Sequence, residues 1–196
     1  MSTGEERLAR WAALREAAIA LAKTRFSERG YEAVSLQELA TELAVDPAAL
    51  LRQGLSKPDL LAETIIALND EQIAWLASRP EATDESLPLQ DAVERYLRRV
   101  YEFDIEHITL RRMGAAFGWL WAPKYEPRIW EQVLALTTPI DGILAREGFQ
   151  DREPMIKALW SLYYTGFRHA VMHRAPGEAC LAEIRPALKL ILRQGP

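Results

Sequence analysis

Residues 35–60, SLQELATELAVDPAALLRQGLSKPDL, decide the fold. They read as two short helices joined by a tight turn, with a third helix starting at once. Ser35 with Glu38 three residues on is a capping-box arrangement. Leu36, Leu39, Ala40 and Leu43 recur at i, i+3, i+4 and i+7, which gives the first helix one apolar face. Ala44 and Val45 make the turn. Asp46 suits the next N-cap, and Pro47 suits the first helical position because its missing N–H needs no partner there. Leu50 and Leu51 anchor this second helix, and Gly54 suits a left-handed end. Ser56 and Asp59 repeat a cap before DLLAETIIAL continues as helix. Two helices across such a turn form the unit that DNA-binding proteins place in a groove, although non-binding helical hairpins share the pattern.

Upstream, residues 5–29 form one amphipathic helix with Leu8, Trp11, Leu14, Ala18, Leu21, Ala22 and Phe26 on its inner side, and Gly30 stops it. Phe26, the run Glu28-Arg29-Gly30-Tyr31-Glu32-Ala33, Ser35, Leu39-Ala40, Val45, Leu50, Ser56-Lys57 and Leu60-Leu61 then stand in one gap-free register. In these residues the chain resembles the TetR family of bacterial transcriptional regulators, over roughly residues 10–68. The resemblance implies an all-α, nine-helix fold, a homodimer, a DNA-reading head at residues 1–57, and a helical ligand-binding and dimerisation body at 58–196.

Composition is compatible with this. The chain has 196 residues, enough for one or two small domains with a proper core, and a formal net charge of −4. Strand-like runs are scarce. One cysteine, Cys180, leaves no internal disulfide and suits a reducing cytoplasm. The first residues lack the apolar core of a signal peptide, and no apolar run approaches the ~20 residues of a membrane span. We therefore expect a cytoplasmic protein with no membrane partner. Beyond the first three helices, breakers at Pro88, Pro123, Gly148 and Pro176-Gly177 divide the chain into helices near 58–79, 89–105, 106–121, 125–147, 151–174 and 177–194, with a polar loop at 80–88. Pro139 and Pro186 fall inside two of them and are expected to kink them.

The recognition chemistry of the head is thin. Phosphate neutralisation supplies most DNA affinity, and side chains on base edges supply sequence choice. Residues 1–60 hold eight Lys or Arg against nine Asp or Glu, so any basic patch is local. Candidates for backbone contact are Lys23, Arg25, Ser35, Gln37, Arg52 and Lys57. Ser35 and Lys57 match family positions associated with backbone contact, yet each has a plainer reading as a cap or a solvated charge. On the second helix, Ala48 and Ala49 can touch thymine methyls, while Arg52 and Gln53 can hydrogen-bond guanine and adenine. Here the chain departs from the family. Pro47, Ala48 and Ala49 replace a usually polar run, Leu51 replaces a tyrosine, Gln53 an aromatic or histidine, and Gly54 a phenylalanine.

The body is rich in aromatics. Leu110, Met113, Phe117 and Trp121 recur at helical spacing, and Trp160, Tyr164 and Phe167 accompany His169 and His173. An aromatic cavity with a few polar groups is how small-molecule sites look, although such stripes are more often plain core. Candidate effector-binding residues are Tyr101, His107, Arg111, Phe117, Trp121, Trp160, Tyr164 and His169, for a small molecule of apolar or aromatic character. His169 and His173 lie four apart but lack the glutamate of an H-E-x-x-H pattern, so no metal and no cofactor is expected. Leu181, Ile184, Leu188 and Ile191, with Leu159 and Tyr163, make seams suited to a four-helix dimer bundle, or to packing on their own body.

Two functions follow as expectations. The first is a ligand-responsive repressor released from a near-palindromic operator. The second is a small-molecule or lipid-binding relative that has lost specific DNA binding. No nucleophile–base pair or phosphate loop stands at meaningful spacing, so an enzyme is not expected.

Overall fold

A computed structural model describes residues 4–79, 86–118, 121 and 123–193. Among these residues there are nine α-helices and no strand. They are α1 (Gly4–Arg29), α2 (Leu36–Glu42), α3 (Pro47–Arg52), α4 (Lys57–Ala77), α5 (Leu89–Glu106), α6 (Ile108–Phe117), α7 (Glu126–Arg146), α8 (Arg152–His173) and α9 (Gly177–Leu192), with a 3₁₀ turn at Pro123–Tyr125. Most of the expected loop at 80–88 and the expected extension of the sixth helix to 121 fall largely outside the described residues. Pro139 and Pro186 both lie within continuous helices.

The caps form as their chemistry dictates. Ser35 accepts from the Glu38 N–H at 3.1 Å, and Asp46 accepts from the Ala48 N–H at 2.8 Å with Pro47 next in line. At α4, the Ser56 N–H donates to the Asp59 carboxylate at 3.0 Å and the Asp59 N–H donates back to the Ser56 hydroxyl at 3.3 Å. These pairings satisfy backbone donors that a helix start leaves open. The ends of α2 and α3 share one geometry. In α2 the Ala44 N–H reaches Thr41 O and the Val45 N–H reaches Ala40 O; in α3 the Gly54 N–H reaches Leu51 O and the Leu55 N–H reaches Leu50 O. That double bond pattern needs a left-handed residue after the cap. Gly54 adopts φ +68° there at no steric cost, whereas Ala44 adopts φ +53° with a Cβ.

The helices fall into two compact units. The first comprises residues 1–68 with 109–128, and the second 69–108 with 129–196. The linear division at residue 57 therefore does not describe the units: α4 runs on into the second at Asn69, and α6 with the 3₁₀ turn belongs to the first. The reason is packing. Gly114 of α6 sits so close to Ile65 of α4 that an added Cβ would lie 3.1 Å from its Cδ1. Ala18, Ala22, Phe26, Leu39, Ala40, Leu50, Leu60 and Leu61 are buried on the inner faces of α1–α4, and Val34 and Leu55 are buried in the connections between them.

In the second unit, α9 packs along α5 and α8. Its core includes Tyr96, Leu97, Val100, Tyr101, Ile140, Leu144, Leu159, Tyr163, Leu181, Ile184 and Leu188. Gly166 of α8 allows the Tyr101 ring to cross it, because a Cβ there would collide with the Tyr101 hydroxyl and the Cys180 carbonyl.

Candidate nucleic-acid interface

The turn between α2 and α3 sets which side chains of the head face outward. Leu39 and Ala40 of α2 and Ala49 and Leu50 of α3 point inward. Ala49, expected as a thymine-methyl contact, is only 8% exposed and belongs to this inner face. The outward face carries Gln37 and Thr41 from α2 and Leu51 and Arg52 from α3, with Ala48 and Gln53 half-buried at its edges. Leu51 is 53% exposed, an apolar side chain in the middle of the surface that would meet base edges.

Electrostatics further reduce what this face offers. The Arg25 guanidinium donates to Glu42 at 3.0, 3.2 and 2.6 Å and to Glu28 at 2.8 Å. Those hydrogen bonds hold the Glu42 carboxyl below its usual range. Arg29 is likewise paired with Glu38 and donates to the Ala33 carbonyl at 2.9 Å. Arg25, expected as a phosphate contact, thus spends its donors on carboxylates. Arg52 is exposed at the end of α3. Lys57, the first residue of α4, holds its ammonium 4.2 Å from the centroid of the Tyr31 ring.

Sequence reading missed the residues behind this face. Lys124 of the 3₁₀ turn pairs with the Asp59 carboxylate at 2.8 Å and donates to the Gly54 carbonyl at 3.4 Å. The Tyr125 hydroxyl donates to the same carboxylate at 2.9 Å. Burial works against the Asp59 anion, but hydrogen bonds from Lys124, Ser56 and Tyr125 outweigh it and hold its pKa at about 2. No local periodicity signals this hub, since residues 59 and 124 meet only in the folded chain.

The eight effector candidates are divided between the two units. Arg111, Phe117 and Trp121 lie in the first unit, and Tyr101, His107, Trp160, Tyr164 and His169 in the second. Phe117 packs its ring 4.9 Å from Tyr31. The buried Trp121 Nε1 and the Thr64 hydroxyl have no hydrogen-bond partner among the described residues. Tyr101 is fully buried and donates to the Tyr163 carbonyl at 3.0 Å, so it is a core residue with its hydroxyl already used. Trp160 stacks on Tyr163 at 4.8 Å, while Tyr164 is 50% exposed. His107 packs 4.5 Å from Phe103, and the His169 and His173 rings lie 4.8 Å apart. No metal-binding group of three or more His, Cys, Asp or Glu occurs among the described residues. An open groove of about 560 Å³ is lined by Phe149, Pro154, Met155, Leu190 and Ile191 among others, and none of the eight candidates lines it.

A buried carboxylate was also missed. Asp104 is 1% exposed and accepts from Gln72 at 2.9 Å and from the Tyr163 hydroxyl. Its signal was present, because Leu97, Val100, Tyr101 and Asp104 share the i, i+3, i+4, i+7 face of α5 and only Asp104 is charged.

The expected dimer seams turn inward. Leu159, Leu181 and Leu188 are fully buried, Ile184 is 1% and Tyr163 5% exposed, all within the single chain. Only Ile191 is half-buried. The periodicity of α8 and α9 was that of their own core, which corrects the assignment of those five side chains to a seam between protomers.

Two helices across a tight turn form the supersecondary unit that DNA-binding proteins place in the major groove. Residues 18–64 match the model of the family described as bacterial regulatory proteins, tetR family. The whole fold is similar to a putative TetR-family transcriptional regulator from Mesorhizobium loti MAFF303099, with a TM-score of 0.66 at 15% identity over 93% of this chain and 96% of that one. It is also similar to the TetR-family regulator PfmR from Thermus thermophilus (TM-score 0.57, 22% identity, 91% and 95% covered). A third similar structure is FadR from Bacillus subtilis in complex with stearoyl-CoA (TM-score 0.60, 15% identity, 90% and 97% covered). None of the curated proteins compared matches the chain. Residues 18–64 thus match a TetR-family model, and the chain as a whole shares its fold with solved TetR-family regulators. No helix among the described residues is long and apolar enough to cross a membrane.

Proposed function

We propose that this chain is a ligand-responsive transcriptional repressor that binds a near-palindromic operator as a homodimer and is released by a small molecule. The observation that carries the reading is the capped α2–turn–α3 unit, whose outward face presents Arg52 with Gln53 beside it and Lys57 at the following helix. DNA reading falls to residues 1–57, and effector binding and dimerisation to residues within 58–196. The effector is apolar or aromatic in character; the similar FadR structure holds stearoyl-CoA, whose acyl tail is a long apolar chain. It acts only through a difference in its affinity for the DNA-competent and incompetent states. The protomers pair through the outward face of α8 and α9, where Tyr164, Met172 and Leu190 are 50%, 62% and 64% exposed. Two heads related by a two-fold axis match half-sites about one helical turn apart, or a multiple.

The test is retention on the protein's own upstream DNA across a salt series. Binding is expected at low salt, with affinity falling steadily as salt rises. Arg52→Ala is expected to relax base preference as well as affinity. No retention at low salt would sink the regulator reading.

A second reading has its own support. Arg25 and Arg29 are tied to carboxylates, Ala49 is buried and Leu51 stands exposed. Such a head suits a ligand-binding relative without specific DNA recognition, a protein that would bind its small molecule and show only weak, sequence-blind retention.

A further inference from the structure

The geometry points to Tyr31 as the residue that positions Lys57 for phosphate contact, an inference that rests on the DNA-binding reading above. The Lys57 ammonium lies 4.2 Å from the Tyr31 ring centroid. That ring is itself fixed on several sides. Phe26 of α1 lies 5.4 Å away and Phe117 of α6 4.9 Å away, and the Tyr31 backbone N–H donates to the Met113 sulfur at 3.1 Å. All these residues belong to the first unit.

The chemistry of the holder is what matters. A lysine loses rotamer freedom when it is immobilised, so a free lysine contributes less on meeting a phosphate. A ring face attracts the cation through its quadrupole and carries no formal charge. The ammonium is thereby confined while no carboxylate among the described residues pairs with it, and its N–H donors remain open to phosphate oxygens. Arg25 shows the opposite arrangement on the same unit, with carboxylates that confine the cation and also neutralise it. Tyr31 thus does for Lys57 what an acidic partner cannot, and Phe117, packed against the ring, helps keep it in place.

The experiment is a mutant cycle of Tyr31→Phe, Tyr31→Leu, Lys57→Ala and the Leu/Ala double variant, read on a mixed-sequence duplex over a salt series. Tyr31→Phe keeps the ring and should bind as the parent does. Tyr31→Leu should weaken binding about fivefold. It should also remove part of the slope of about 0.9 per phosphate that Lys57→Ala abolishes. With Lys57 already replaced, Tyr31→Leu should cost nothing further. An equal loss with and without Lys57, or a Tyr31→Phe variant as weak as Tyr31→Leu, overturns the proposal. If Tyr31→Leu does not fold, Phe117→Leu replaces it in the same cycle, with the same expected dependence on Lys57. A parent protein that binds no duplex at low salt overturns the DNA-binding reading along with the inference. A parent that binds, with an additive cycle, overturns the inference alone. Ring-current shifts give a readout without DNA. The Lys57 ε-methylene protons should lie upfield in the parent and in Tyr31→Phe, and ordinary lysine shifts in both would overturn the placement.

Discussion

Ala44 carries the local strain of the helix-turn-helix. It sits at φ +53° after α2, where its N–H closes on Thr41 and the next residue closes on Ala40. A left-handed backbone costs an ordinary residue roughly 1–2 kcal/mol, and glycine avoids that at the cost of extra freedom in the unfolded chain. Ala44→Gly is therefore expected to stabilise the protein by about 0.5–1 kcal/mol, read from the midpoint of urea unfolding. Glu42 offers a second test at this scale. It occupies three hydrogen bonds of Arg25 beside the expected DNA surface. Glu42→Gln removes a negative charge and leaves Glu28 as the one carboxylate paired with Arg25 among the described residues, so DNA affinity should rise about two- to tenfold at moderate salt with a steeper salt dependence. Unchanged binding would place Arg25 away from the duplex.

At the scale of elements, the start of α4 is held from two directions. Ser56 and Asp59 cap it locally, and Lys124 and Tyr125 reach the same carboxylate from the 3₁₀ turn. Asp59 has a folded pKa of about 2 against an ordinary 3.8. A depressed carboxyl contributes stability that is fully present above the unfolded value. That contribution should fade as pH falls from about 4 through about 2, and Asp59→Asn should flatten acid unfolding over this window. Lys124→Ala should move the Asp59 titration upward in a proton NMR series, and an unmoved titration would remove Lys124 from the hub. The helix boundaries of this region were legible from Ser35, Asp46, Pro47, Gly54 and Ser56, because caps and left-handed ends are local chemistry. The hub was not legible, because residues 59 and 124 are distant in sequence.

At the scale of the whole molecule, the expected dimer depends on which face of α8 and α9 remains exposed. Leu188 is fully buried, so Leu188→Arg would unfold the chain and report nothing about association. Leu190, two residues further on and so on the opposite side of α9, is 64% exposed. Leu190→Arg should leave helicity and thermal unfolding of the monomer intact while shifting the sedimentation mass from dimer to monomer. A dimer of undiminished strength would move the interface elsewhere.

The local code alone determined the succession of helices, the turn of the head, the caps at Ser35, Asp46 and Ser56, and the family register from Phe26 to Leu61. Each of these rests on interactions within a few residues, which a sequence carries in full. Only the tertiary structure decided that α6 belongs with the head, that Ala49 and the α8–α9 seams face inward, and that Arg25 is neutralised while Lys57 rests on a neutral ring. Periodicity tells which residues share a helix face but not what that face meets, and that choice is made by packing between segments far apart in the chain.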